Sequence, residues 1–228
     1  MANTEGRDHD KHHDHHGQDH GHEHHHGHNH PHDPIEVAEG AGEYEIMVHA
    51  IKELLIEKGI ITSADIRKTL EFMDTRGPAL GAKVVARAWT DPEFKKRLLT
   101  NGTAAVAEMG IPMGDAELIV VENTNDVHNV IVCTLCSCYP RTILGLPPDW
   151  YKSRNYRSRV VSEPRAVLKE FGTELPDSVT LRTHDSNADM RYLVLPERPA
   201  GTEKWTQEQL AAIVTRDCMV GVAFPQAR

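Results

Sequence analysis

The chain has 228 residues, four cysteines and a formal charge of −9, which suits one sizeable domain with an arm. It excludes a disulfide framework, and no run of about 18 apolar residues exists to span a membrane. The start carries no basic stretch followed by an apolar one, so we expect no secretory signal and a reducing, cytoplasmic home. The acidic balance argues against nucleic acid as a partner.

The first segment, "DHDKHHDHHGQDHGHEHHHGHNHPHDP" from Asp8, holds thirteen of the sixteen histidines between His9 and His32. Residues 1–34 carry seven acids against two bases. Without aliphatic residues to bury, this stretch is expected to be a disordered arm. Its imidazoles and carboxylates suit interchangeable binding of divalent transition metals. Metal buffering or delivery is the favoured reading, and an inert solubilising tail the alternative.

From Glu43 the spacing becomes helical. In "EYEIMVHAIKELLIEKG", Ile46, Ala50, Ile51, Leu54 and Leu55 share a face and Gly59 is the stop. Ser63 is expected to cap a second helix carrying Ile66, Leu70 and Met73, ended by "RGP". "ALGAKVVARAW" continues as a short helix. "TDPEFKKRLLTNG" places Asp91 as cap, Pro92 at the first helical position and Asn101-Gly102 as the stop. The narrow apolar faces of this region fit an arm that lies on something else.

After "IPMGD" the period switches towards two. "ELIVVEN", "HNVIVC", "VTLRTHD" and "MRYLVLP" read as strands. "SEPRAVLKEFG" reads as a helix capped by Ser162 and stopped by Gly172. "TQEQLAAIVTR" opens with the capping-box pair Thr206 and Gln209, and "CMVGVAF" reads as a last strand. The expected fold is α+β: a disordered His-rich arm (1–34), a helical arm (35–110) and a mixed α/β layered domain (111–228) carrying the site.

That site is "NVIVCTLCSCYP", with Cys133, Cys136 and Cys138 inside six positions. A structural zinc site using these thiols and a histidine such as His128 is one reading; a dithiol redox pair is another. The functional reading is a compact metal claw. Cys133 and Cys136 are spaced to direct both sulfurs at one centre. A chain wrapped that tightly brings the amide nitrogens of Ser137 and Cys138 into ligand range. Three sulfurs and two nitrogens would leave a sixth position open for water or substrate, as a Lewis-acid catalyst needs.

"VCTLCSCYP", followed by "LGLPPDWYKS", "YRSRVVSEPR", "RYLVLPERPAGTE" and "IVTRDCMVGV", resembles the α subunit of nitrile hydratase from about Tyr44 to about Pro225. The resemblance implies a catalytic subunit that hydrates a nitrile to the amide at a low-spin Co(III) centre, one cobalt per chain. Thr134 goes with cobalt in that family and Ser there with iron, so iron is the less expected metal. Cys133 would be the axial thiolate, Cys136 a sulfinic acid and Cys138 a sulfenic acid, with the Ser137 and Cys138 amides completing the ligand set. Cys136, Ser137 and Cys138 would carry the catalysis.

The resemblance also implies a β subunit, as αβ or α2β2, whose arginines face the oxidised sulfurs, and a cobalt-loading activator protein. The cobalt subunit of thiocyanate hydrolase shares the claw and is the rival within enzymes; a non-catalytic metal-storage protein is the rival outside them. Two departures stand out. Arg141 and Thr142 replace the Trp-Pro common after the claw, which puts substrate size and polarity in question. "MGDAE" replaces a Gln-Gly-Glu-like stretch, with Asp115 as the candidate site residue there.

Among the remaining candidates, His128 suits a hydrogen-bonded strand histidine better than a ligand, and Cys218 a small buried hydrophobe. His49 reads as solvent-facing or packed on a partner. Tyr151, Arg157, Arg159 and Arg165 suit either a partner surface or a solvated helix start. Trp89, Trp150 and Trp205 read as packing anchors.

Overall fold

The computed structural model describes residues 42–135 and 138–227. The His-rich arm lies outside them, as do Cys136 and Ser137. The described chain opens with α1 (Glu43–Glu57) and α2 (Ser63–Asp74), neither of which buries a residue. Ile46, Ile51, Leu54, Leu70 and Phe72 stand exposed on them, an apolar surface that marks an interaction face rather than a core. Gly59, at φ 65°, ends α1 as expected.

The cap of α2 is Thr62, not Ser63. Only Thr62 has an acid three residues on, and Asp65 closes a reciprocal box with it: Asp65 N–H donates to the Thr62 hydroxyl at 3.1 Å, and Thr62 N–H to the carboxylate at 2.9 Å.

The chain then turns inward. Helix α3 (Pro78–Thr90) starts on Pro78 and buries Val84, Val85 and four small residues. Each fully buried valine contributes about 1.5–3 kcal/mol. Asp91 accepts from Phe94 N–H at 2.9 Å to start α4 (Pro92–Thr100), whose Phe94 and Leu98 are buried. Asn101 ends α4 and also caps α5 (Gly102–Ala107), a helix that the stop reading left out.

Strand β1 (Glu117–Glu122) follows, then β2 (Val127–Val132), and after four helices β3 (Thr180–Asp185) and β4 (Met190–Leu195). The strands form two parallel pairs. β1 runs beside β4 from Glu117 opposite Met190 to Glu122 opposite Leu195. β2 runs beside β3 from Val127 opposite Thr180 to Val132 opposite Asp185. β2 is buried along nearly its whole length, as parallel strands covered on both faces are.

Between β2 and β3 lie α6 (Arg141–Leu144), α7 (Asp149–Lys152), α8 (Arg154–Ser162) and α9 (Pro164–Glu170). Ser162 is the last residue of α8 rather than the cap of α9. Glu163 occupies the cap position without a side-chain bond, and Pro164 starts the new helix, since proline cannot extend the one before it.

After α10 (Gln207–Ala212), opened by the expected Thr206–Gln209 box, the "CMVGVAF" stretch forms a helix, α11 (Arg216–Val220), not a strand. Its apolar side chains are buried on every side, so periodicity could not separate the two forms. Thr215 accepts from Cys218 N–H at 3.3 Å to start it. Gly221 ends it at φ 93°, where an added Cβ would fall 2.1 Å from the Asn129 carbonyl oxygen. Helix α11 packs on α3, β2 and β4, placing Gly221 under the strand that feeds the cysteine motif. No described helix is long and apolar enough to cross a membrane.

Candidate metal centre

The cysteine motif leaves the carboxyl end of β2, the place where parallel sheets commonly carry their sites. Cys133 is the first residue past the strand and has no exposed surface. Cys138 is half-buried. Cys136 and Ser137, expected ligands, lie outside the described residues.

Both described flanks of the turn are tied down. On one side, Asp185 at the end of β3 accepts from Thr134 N–H at 2.9 Å and from its hydroxyl at 2.5 Å. The parallel register, Val132 opposite Asp185, is what brings that carboxylate there. On the other side, the Tyr151 hydroxyl donates to the Cys138 carbonyl at 3.0 Å. Tyr151 is fully buried. Burial, with the neighbouring Cys133 adding to it, pushes its phenol well above the usual range, so it stays a proton donor. Arg157 donates to the Thr134 carbonyl at 3.4 Å, so this chain places a cation of its own beside the motif.

A buried polar network supports β2 from below. His184 Nε2 donates to Asn129 Oδ1 at 2.8 Å, and Asn129 Nδ2 donates to Asn123 Oδ1 at 3.0 Å. Asn123 Nδ2 meets His128 Nδ1 at 3.2 Å, and His128 Nε2 donates to the Gly221 carbonyl at 2.8 Å. Both ring nitrogens of His128 are therefore committed, as a strand histidine's should be. Burial lowers its pKa, against the Gly221 carbonyl, and lowers that of His184, with Arg182 adding to the effect. A zinc site completed by His128 does not fit this arrangement.

Among the described residues, no three His, Cys, Asp or Glu side chains converge on one point. Of the motif's thiols, Cys133 is buried and Cys138 half-buried. Thiols of this kind suit a transition metal over a hard cation.

Cys138 opens onto a cavity of about 390 Å3, lined also by Met113, Ala116, Tyr139, Pro140, Arg141, Thr142 and Arg191. Thr142 donates to the Met113 sulfur at 3.0 Å. Asp115 is exposed and takes no part in this lining.

Residues 42–223 match the family model described as nitrile hydratase, alpha chain. The chain belongs to this family. It is 54% identical over 183 residues to the cobalt-containing nitrile hydratase subunit alpha of Pseudonocardia thermophila, covering 79% of this chain and 90% of that one. Among solved structures, a recombinant thiocyanate hydrolase with partially modified cobalt centers superposes with a TM-score of 0.77 at 45% identity, over 82% of this chain and 92% of the other. An Fe-type nitrile hydratase from Comamonas testosteroni Ni1 gives 0.76 at 45% identity, over 81% and 91%. The expected α+β fold with a helical N-terminal region is the nitrile hydratase α fold.

The other singled-out residues fall into structural roles. Arg159 pairs with Glu163 and Glu170. Arg165 donates to the carbonyls of Leu175, Pro176 and Val179. Tyr151, Arg157, Arg159 and Arg165 thus all bond within the chain. Trp150 packs edge-on against Tyr156 and Phe171, and Trp89 Nε1 donates to the Pro196 carbonyl at 2.9 Å. Cys218 is buried beside the Thr215 hydroxyl, with its thiol pKa raised by burial. His49 is exposed on α1. Asp185 and Tyr151 are the site residues that sequence reasoning missed or misplaced.

Proposed function

We propose that this chain is the metal-bearing subunit of a cobalt nitrile hydratase, converting a nitrile to its amide when joined to a β subunit. Cys133, Cys136 and Cys138 with the amides of Ser137 and Cys138 would hold the metal as Co(III), with Cys136 oxidised to the sulfinic and Cys138 to the sulfenic acid. Metal-bound thiolates are the reactive species on that oxidation ladder. When bound, the metal supplies Lewis acidity toward the nitrile and an open coordination position.

The observation that carries this reading is the unequal burial of the two described cysteines: Cys133 is sealed in, while Cys138 is half-buried and lines the cavity. A sealed thiolate can anchor and a facing one can react. Cys138, as sulfenate, is set to attack the nitrile carbon or to take the proton of an attacking water. Either route adds one water across the triple bond and gives the amide without cleavage. The Asp185 brace on Thr134 and the Tyr151 hydrogen bond to Cys138 fix the two described flanks of the motif, which is the chain's own contribution to preorganisation.

A β subunit would cover the exposed apolar face of α1 and α2, and Leu135, which is 88% exposed beside the motif. A cobalt-loading activator fits the slow ligand exchange of Co(III), and the arm's thirteen histidines would serve that delivery. The cysteine usage supports a reducing cytoplasm as its home.

The test is metal analysis with peptide mass spectrometry on the co-expressed αβ complex, followed by amide assays. The expected result is one cobalt per chain, two added oxygens on Cys136, one on Cys138, and amide from nitrile. One zinc with unoxidised cysteines would sink the proposal. The likeness to thiocyanate hydrolase supports a second reading, which ammonia and carbonyl sulfide released from thiocyanate would favour.

A further inference from the structure

Helices α7 and α8 aim three side-chain donors at the main chain of the cysteine segment. The Tyr156 hydroxyl donates to the Ile131 carbonyl at 2.7 Å, Arg157 Nη1 to the Thr134 carbonyl at 3.4 Å and the Tyr151 hydroxyl to the Cys138 carbonyl at 3.0 Å. The frame behind them is firm. Ser153 Oγ caps α8 by accepting from Tyr156 N–H at 3.1 Å, Tyr156 and Val160 are buried, and the Val160 carbonyl accepts from the Thr183 hydroxyl of β3 at 3.1 Å. Two of the three donors are neutral phenols, and the middle one carries a full charge. A hydroxyl satisfies a carbonyl as well as a guanidinium does, so the charge needs a reason of its own. That reason lies in what else Thr134 holds. Asp185 accepts from its N–H and from its hydroxyl, which brings a carboxylate to the residue that follows Cys133. Thiolate ligands add negative charge beside it, and like charges held close together repel. Arg157 reaches the same residue from α8 with the opposite sign. Past it Leu135 stands exposed, so Thr134 is where this flank of the motif ends.

We propose that Arg157 is a positioning residue of the metal centre, fixing the Thr134 carbonyl while its charge offsets that of Asp185, so that the flank beside Cys133 is both held and electrically balanced; the inference rests on the cobalt reading above. The sulfurs remain the ligands, and Arg157 acts on them through Thr134. Glutamine in its place can still donate to the carbonyl but leaves the carboxylate unanswered. Lysine keeps the charge and loses the planar fork.

The variants R157Q, R157K, D185N and R157Q/D185N would be made in the αβ complex. R157Q should raise the cobalt supply needed to half-load the chain about tenfold, the scale on which side chains that support a metal's ligands act. R157K should recover most of that loss. The double variant should lose less than the two single losses multiplied, because removing the carboxylate removes the charge that Arg157 answers. The spectrum of the loaded complex separates charge from tethering. Its sulfur-to-cobalt charge-transfer bands should shift in opposite directions in R157Q and D185N, stay in place in R157K, and return towards the wild-type position in the double variant. Bands unmoved by R157Q, an R157K no better than R157Q, or losses that simply multiply would overturn the proposal. Amide exchange read by mass spectrometry covers the case in which no cobalt enters even the wild type. Peptides covering 132–135 should then exchange faster in R157Q than in the wild type, while 127–131 keeps its protection. That result sinks the cobalt reading and leaves the Arg157 brace standing; equal exchange in the two would overturn both.

Discussion

Replacing Tyr151 by Phe removes one hydroxyl and little else. The ring is fully buried and packs edge-on against Tyr139 at 4.9 Å and Trp150 at 6.0 Å, contacts that phenylalanine keeps. What goes is the 3.0 Å hydrogen bond to the Cys138 carbonyl. A neutral intramolecular hydrogen bond contributes about 1 kcal/mol net, and up to about 2 when its partner is left half-buried. For a fold of this size each kcal/mol moves Tm by about 2–4 °C, so the melting point should fall by about 2–8 °C. If the lost bond also positions Cys138, up to about tenfold should go from kcat/KM, since 1.36 kcal/mol of barrier is tenfold in rate.

The control is Tyr156→Phe. The Tyr156 hydroxyl donates to the Ile131 carbonyl at 2.7 Å, in the same aromatic cluster but on strand β2 rather than on the cysteine turn. That variant should lose similar Tm and keep its cobalt and its rate. Melting curves, cobalt content and nitrile kinetics on the αβ complex decide the matter. Equal kinetic losses in both variants, or none in Tyr151→Phe, would refute a role for Tyr151 in holding the turn.

Asp185→Asn should lower cobalt per chain at limiting metal, because an amide cannot accept from both Thr134 donors as the carboxylate does; metal analysis reads this directly. The folded-state pKa values of His128 and His184 lie below the ordinary 6.5, so the unfolded chain takes up more protons in the window beneath that value. Urea midpoints should therefore be steady above about pH 6.5 and fall as the pH drops through it; a midpoint indifferent to pH there would contradict the buried network. Deleting residues 1–34 should reduce cobalt occupancy when the metal is scarce and leave it unchanged when it is abundant. Equal occupancy under scarcity would reduce the arm to a solubilising tail.

Local chemistry made much of the molecule legible in its sequence. Asp91 before Pro92, the Thr206–Gln209 box and the four apolar strand segments each announce themselves within a few residues. The spacing of Cys133, Cys136 and Cys138 marks the candidate centre in the same local way. What stayed hidden depends on residues far apart. Asp185 sits fifty-one positions from the threonine it braces, and an acid at a strand end carries no mark of its target until the parallel register is known. Tyr151 looked like a surface residue because its helix is short and flanked by charge; burial by Tyr139 and Trp150 decided otherwise. Residues 218–222 misled because complete burial erases the polar positions that distinguish a helix from a strand.

The parallel pairing of β2 with β3 also sets an order of events during synthesis. The ribosome releases the cysteines well before Asp185, and the strand that carries this carboxylate emerges only after four helices. Until β3 docks, the turn has thiols but lacks its brace, and distant pairings of this kind are slow to form. Metal captured early would meet the motif before Thr134 is braced; metal arriving after docking would meet it with that flank held. A protein delivering cobalt to this chain would therefore work on a nearly finished fold, and the interval before β3 docks is when the thiols are least protected from unwanted oxidation.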